Sequence, residues 1–183
     1  MTYRSKAAFI DRDGVINQDY GYVSKWKNFA FINGAIDALQ TFKRCGYKII
    51  IITNQSGIAR GFFSEEEYYL LTKNIKKSIK KYGITIDDIY HCPHLPEGVV
   101  EDYAVDCDCR KPKIGMIVRA CKDHNIDLDK SILIGDKSSD IQCGINAGIK
   151  SNFLISDKTY TSNNHTKAFY SLKDCSEYIE AYY

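Results

Sequence analysis

The apolar positions of this chain fall into short continuous runs separated by longer periodic stretches. Residues 6–10 and 47–53 read as strands. In the second run Ile49, Ile50, Ile51 and Ile52 follow one another, too continuous for a sheet with one wet face and suited to a strand covered on both sides. Between the two strands, Ala35, Ile36, Leu39 and Phe42 keep helical spacing, with Asn33 as the expected N-cap and Gly46 just past the end. Ser64 and Glu67 form a capping-box pattern that opens a helix running to about Tyr82, before Gly83. The pattern then predicts a strand at 84–90, a helix at 114–124, a strand at 131–134, a helix at 138–147, a strand at 152–155 and a last helix at 172–182. Strand–helix alternation predicts an α/β, Rossmann-like three-layer fold: a parallel sheet with helices on both faces.

At 183 residues, a single domain spanning 1–183 with a sizeable core is expected. Hydrophobic residues make up 44% and charged residues 26%, the balance of a globular protein. A net charge of +2 argues against a strongly basic nucleic-acid binder but leaves room for a local anion site. No apolar run approaches the ~18 residues of a membrane helix, and MTYRSKAAFI does not read as a signal peptide. A cytoplasmic protein without a membrane partner is therefore expected, so the seven cysteines read as thiols or metal ligands rather than a disulfide framework.

The candidate chemistry sits where the strands end. Asp11 and Asp13 follow the first strand, Thr53 and Asn54 close the second, and Asp136 follows "ILIG". In open parallel sheets, ligands bind outside the carboxyl ends of strands. A divalent cation would offset the repulsion between the acids. Asp11 suits a carboxylate nucleophile and Asp13 a general acid and then base, the parts that phosphoryl transfer needs. A lone D-x-D is more often a turn with solvated acids. Thr53 could simply end a strand, Lys111 could be a surface lysine before Pro112, and Asp136 could cap the helix after it. Delivery of polar groups to one edge by three strands favours the functional reading.

"DRDGV", "TNQSGIARG", "CRKP" and "GDKSSD", in this order, resemble the four motifs of the haloacid dehalogenase superfamily of phosphatases. The match extends to the D-glycero-D-manno-heptose 1,7-bisphosphate 7-phosphatases and covers residues 8–147. The resemblance implies Asp11 as nucleophile, Asp13 as acid/base, Thr53 as a hydrogen-bond donor to the transferring phosphoryl group, and Lys111 as its counter-charge. It implies Mg²⁺ held by Asp11, Asp136 and the backbone carbonyl of Asp13. Asp140 completes "GDxxxD" and stands evenly between orienting Lys111 or water and a purely structural part.

The segment from 91 to about 110 has little periodicity. Cys92 and His94, then Cys107 and Cys109, give C-x-H and C-x-C. Three thiolates and an imidazole make a closed tetrahedral set for structural Zn²⁺; the bland alternative is a few buried cysteines with a surface histidine. A matching zinc loop in the family strengthens the zinc reading. Arg110 and Lys111 follow the last ligand directly, so the metal would fix the backbone that presents them. Cys45, Cys121, Cys143 and Cys175 fall outside this pattern.

From Asp13 to Thr53 there is room for one helix and one strand but no large cap domain, so loops must define the substrate. By resemblance these are Asp19, Tyr20, Gly21 and Tyr22, then Thr53, Asn54, Gln55 and Ser56, with Arg110, Lys111 and Lys137. Arg110 and Lys137 could meet a second phosphate or sugar hydroxyls, although solvated charge is the usual fate of such residues. Lys73, Lys76, Lys77, Lys80 and Lys81 lie opposite Leu71, Ile75 and Ile79 and read as a solvated face. The implied activity is release of the 7-phosphate from a small sugar bisphosphate, in the supply of activated heptose for lipopolysaccharide, by a monomer that binds no nucleic acid. The alternatives are histidinol-phosphatase or another small-molecule phosphatase. From a different class comes a polynucleotide 3′-phosphatase or nucleic-acid-binding zinc module.

Overall fold

The computed structural model describes residues 4–156 and 166–183; the first three residues of the N-terminal reading above lie outside them. Six parallel strands form one sheet among the described residues, in the order β3-β2-β1-β4-β5-β6. They are β1 (Ala7–Ile10), β2 (Lys48–Asn54), β3 (Asp88–Cys92), β4 (Ile132–Gly135), β5 (Ser151–Ile155) and β6 (Thr166–Phe169). The helices are α1 (Ala35–Arg44), α2 (Glu65–Lys80), α3 (Gly115–His124), α4 (Ser138–Asn146) and α5 (Leu172–Tyr182).

The isoleucine run explains the layers. Because side chains alternate across a strand, Ile49 and Ile51 enter one cluster with Ala8, Ile10, Ile132 and Ile134, packed against Leu39 and Phe42 of α1, Leu71, Ile75 and Ile79 of α2, and Ile179 of α5. Ile50 and Ile52 enter the other with Phe9 and Leu133, under Met116, Ile117 and Ala120 of α3 and Ile141 of α4. Each such buried side chain contributes about 1.5–3 kcal/mol relative to exposure. Both faces are covered, so the continuous run has no wet side. The described elements between Asp13 and Asn54 are a 3₁₀ turn (Trp26–Asn28), α1 and β2, with no separate cap. No helix among the described residues is long and apolar enough to cross a membrane.

Three local readings need correction. The α1 N-cap is Gly34, at φ 78°, rather than Asn33; a side chain there would press on Lys173 of α5, with Cβ–Cβ at 2.9 Å. The strand expected at 84–90 forms at Asp88–Cys92. Ile84 and Ile86 are buried and alternate like strand residues, but they pack beneath the sheet edge as loop. The shift matters, because β3 pairs Asn54 with Cys92 and so carries the cysteine to the level of the other strand ends. Finally, β6 pairs with β5 although its sequence, TKAF, is too short and polar to stand out.

The chain steps outward from β1 to β2 and β3, then returns to β4 on the other side of β1. The β1/β4 boundary is thus the topological switch point, where such sheets open a crevice.

Candidate active site

Asp11 follows β1 and Asp136 follows β4, on either side of this crevice. The Asp11 backbone N–H donates to Ile134 O at 2.9 Å, which docks the two strand ends together. Lys111 reaches the site from the loop and is 4% exposed. Its Nζ donates to Asp11 Oδ1 (2.8 Å) and Ile52 O (2.9 Å) and pairs with Asp140 Oδ1 at 2.6 Å. Burial raises the Asp11 carboxyl to about 7, with Lys111 opposing and Asp140 and Asp13 adding to the rise. Burial works against the Lys111 charge, but its two carboxylates outweigh it and hold the ammonium firmly protonated.

Asp13 is held differently. Arg12 Nη2 donates to Oδ2 at 2.8 Å and to Oδ1 at 2.9 Å, Arg12 Nε to Oδ1 at 3.2 Å, Asn17 Nδ2 to Oδ1 at 3.0 Å and Gln55 Nε2 to Oδ2 at 2.8 Å. Burial raises this carboxyl, but Arg12, Asn17 and Gln55 together hold it below the ordinary carboxylate range. Neither Arg12 nor Asn17 was singled out from the sequence. A buried arginine paired with its own neighbour leaves no spacing signal.

Asp11, Asp136 and Asp140 each bring a carboxylate oxygen within 4.8 Å of the others. Asp136 Oδ1 is buried without a hydrogen-bond partner, and such an atom calls for a ligand. Gly14 stands at φ 84°, and a Cβ there would fall 2.3 Å from Asp136 Oδ2. A hard-cation site of oxygen ligands, kept open by a glycine, fits this donor set. Asp140 Oδ2 accepts from Lys137 N at 3.0 Å, so Asp140 both starts α4 and faces Lys111.

A cavity of about 450 Å³ opens over Asp11, Asp13, Lys111 and Asp140. Of the sequence-derived residues, Asp11, Asp13, Asp19, Gly21, Tyr22, Thr53, Asn54, Gln55, Ser56, Arg110, Lys111 and Lys137 line it. Tyr20 does not and is 70% exposed; nor does Asp136, which lines a separate cavity with Gly14. Arg60 and Ser139 also line the cavity; they stand inside the TNQSGIARG and GDKSSD motifs but were not singled out as site residues. Lys137 pairs with Asp19 at 3.4 Å. Asn54 serves Lys111 itself: its amide donates to Lys111 O (3.2 Å) and accepts from Lys111 N (3.1 Å).

Beside the cavity, Cys92, His94, Cys107 and Cys109 converge with ligand atoms all within 4.8 Å. The close separations are 3.5 Å for Cys92–Cys107, 3.4 Å for Cys107–Cys109, 3.4 Å for Cys109–His94 and 3.8 Å for Cys92–His94. Ligands 2.0–2.3 Å from a tetrahedral metal stand roughly 3.3–3.8 Å apart, so these four could hold such an ion. Arg110 Nη1 donates to His94 O at 3.3 Å, which ties the cluster to the cavity wall.

A family model described as polynucleotide kinase 3 phosphatase matches residues 7–171. A D-glycero-beta-D-manno-heptose-1,7-bisphosphate 7-phosphatase of Haemophilus influenzae is 50% identical over 151 residues, 82% of each chain. A D-glycero-alpha-D-manno-heptose-1,7-bisphosphate 7-phosphatase of Photorhabdus laumondii is 48% identical over 166 residues, 91% of each chain. The chain belongs to this family of phosphatases, on the heptose-bisphosphate 7-phosphatase branch. The phosphatase shares its fold with the D,D-heptose 1,7-bisphosphate phosphatase of B. bronchiseptica, solved in complex with magnesium and phosphate: 26% identity, TM-score 0.83, covering 95% of this chain and 97% of that one. The phosphatase resemblance read from the four motifs is therefore borne out at the level of family and of reaction class, phosphoric monoester hydrolysis.

Proposed function

We propose that this phosphatase removes the 7-phosphate of D-glycero-D-manno-heptose 1,7-bisphosphate with Mg²⁺, through an aspartyl-phosphate on Asp11. The observation that carries the reading is the buried Lys111 ammonium bridging Asp11 and Asp140 beside the unpartnered Asp136 Oδ1. One free carboxylate oxygen faces a cation site, and a fixed positive charge lies at the nucleophile. The names of the curated relatives supply the substrate.

Asp11 attacks phosphorus, and the bond from phosphorus to the sugar O7 breaks. Asp13 delivers the proton that this alkoxide needs. The carboxylate so formed then takes a proton from water, whose oxygen attacks the same phosphorus. Inorganic phosphate leaves and Asp11 is restored. Thr53 and Lys111 hold the phosphoryl oxygens. Asp11, Asp136 and the Asp13 carbonyl would hold Mg²⁺, which neutralises charge developing on the phosphoryl group. Asp140 orients Lys111. Because Arg12 claims both Asp13 oxygens, Asp13 works as acid only after the phosphate dianion draws a proton onto it and loosens that pair. Zn²⁺ at Cys92, His94, Cys107 and Cys109 would be structural, since four protein ligands leave no open position. The enzyme is expected to act as a cytoplasmic monomer of one domain.

The test is phosphate release from both anomers of the bisphosphate, histidinol phosphate and a 3′-phosphorylated oligonucleotide, side by side, with phosphorus NMR of the product. The bisphosphate should lose one phosphate and keep that on C1. Asp11→Asn should abolish turnover, because an amide is no nucleophile, while circular dichroism shows the fold intact. Full activity of Asp11→Asn, with deamidation excluded, would sink the mechanism. Preference for another substrate would sink the substrate assignment.

A further inference from the structure

Gln55 lines the cavity, yet it is only 4% exposed. Its side-chain amide commits both N–H groups and one lone pair to protein. Nε2 donates at 2.8 Å to Thr53 Oγ1 and at 2.8 Å to Asp13 Oδ2, while Oε1 accepts from Arg12 Nη2 at 3.3 Å. The backbone N–H of Gln55 donates to Cys92 O at 2.7 Å, which anchors the residue to β3.

These bonds have consequences in sequence. Arg12 is a donor only, so it must face the amide oxygen; that fixes which end of Gln55 is nitrogen. The two N–H groups then point at Thr53 and Asp13. A hydroxyl carries one proton, and Thr53, which already accepts from Gln55, must aim that proton elsewhere. Asp13 meanwhile has the oxygen that Gln55 holds fixed in position. Arg12 is itself 2% exposed, bonded to Val23 O at 3.1 Å and placed 5.8 Å from the Tyr68 ring centroid, so the reference point is rigid.

We infer that Gln55, with its amide orientation set by Arg12, is a positioning residue that simultaneously aims the Thr53 hydroxyl at the phosphoryl group and holds Asp13 in line with the leaving oxygen. This rests on the roles proposed above for Thr53 and Asp13. It differs from a substrate contact because both amide N–H groups are committed to protein, which leaves only a second lone pair on Oε1. A glutamine at this position therefore serves proton delivery and not recognition of the sugar.

The leaving group separates these possibilities. An enzyme that donates a proton well is less sensitive to how poor the leaving group is; losing that donation makes the dependence on leaving-group pKa steeper. Wild type, Asp13→Asn, Gln55→Met and Gln55→Glu would be compared on a series of aryl phosphates and on the sugar bisphosphate. Methionine keeps length without donors. Glutamate keeps shape and polarity but places an acceptor where both donors stood, which guards against a packing artefact. Both Gln55 variants should lose about ten- to a hundredfold in kcat, keep KM within about twofold, and fall more steeply with leaving-group pKa, in the direction of Asp13→Asn. Equal losses with an unchanged slope, a rise in KM confined to the sugar bisphosphate, or wild-type rates would each overturn the inference. A wild type inactive on every phosphate ester, or an Asp13→Asn slope like that of wild type, would instead overturn the phosphatase roles on which it rests.

Discussion

Gly14 shows how a single backbone position can make room for a functional carboxylate. It sits at φ 84° with no room beside Asp136. Alanine there would pay left-handed strain of about 1–2 kcal/mol and push its methyl into the Asp136 carboxylate. Gly14→Ala should therefore lower stability to urea by at least that amount and raise the Mg²⁺ concentration for half-maximal activity about tenfold or more. A Mg²⁺ titration that superimposes on wild type would remove Asp136 from the cation site. The acids themselves were legible in the sequence, because Asp11 and Asp136 each end a short apolar run that can only be a buried strand. Arg12 and Asn17 were not. Their bonds to Asp13 arise from a tight turn in which Ile16 N and Asn17 N both donate to Arg12 O, and no residue pattern announces that turn. Gln55 is read as a substrate contact from its motif and lines the cavity; its low exposure and three side-chain partners, which a sequence does not display, are what the structure adds.

The elements differ in how they are held. The capping box on α2, with Ser64 Oγ accepting from Glu67 N and Glu67 Oε2 accepting from Ser64 N, was readable because it is local. β3 and the loop after it are held by distant ties: Tyr103 of the loop donates to Glu65 Oε2 at 2.9 Å, and His91 of β3 meets Glu65 Oε1 at 2.9 Å. Between Pro93 and Asp108 the loop buries few apolar side chains, Leu95 among them, so a metal at the Cys/His cluster would add to its order. Metal analysis of protein purified without chelators should find one Zn²⁺ per chain. Cys107→Ser or zinc stripping should lower Tm by about 5–10 °C if roughly 2–3 kcal/mol is lost, with hydrogen exchange rising in 92–109 and little change in β1 or β4. Finding no zinc would end this reading. Another pair secures β3 to α3: burial raises the Asp88 carboxyl, but the His124 ring at 3.0 Å and the Ile89 N–H at 2.8 Å hold it below the ordinary range. A carboxyl whose pKa is lower folded than unfolded stabilises at pH above its unfolded value, and that stability is lost as pH falls through the folded one. Asp88→Asn should thus flatten the acid side of the stability-versus-pH curve, below about pH 4, in urea titrations taken at several pH values. An unchanged acid limb would mean that the pair contributes nothing.

At the scale of the whole molecule, the sheet order puts Asp11 and Asp136 at the switch point, while the loop after β3 swings Arg110 and Lys111 over the same opening. The alternation of elements made the first part legible; the second depended on where β3 ends, and the apolar pair Ile84 and Ile86 concealed that. The result is one cavity with cations in two places. Lys111 is buried against Asp11. Arg110 and Lys137 line the cavity but make no bond to Asp11: Arg110 is tied to His94 O and Lys137 to Asp19. A bisphosphate offers one group to cleave and another to hold, and binding energy from the held group can orient the reacting one. With no separate cap among the described elements between Asp13 and Asn54, such remote anchoring has to come from the rim. Arg110→Ala should therefore lower kcat/KM for the sugar bisphosphate by roughly one to two decades, the worth of a charged hydrogen bond of about 1.5–3 kcal/mol, while an aryl phosphate with no second anion loses far less. Both rates are measured on one preparation, with Tm as a check that the loop stays folded. Equal losses on the two substrates would show that Arg110 serves the reaction or the loop and would leave the second phosphate without an assigned anchor.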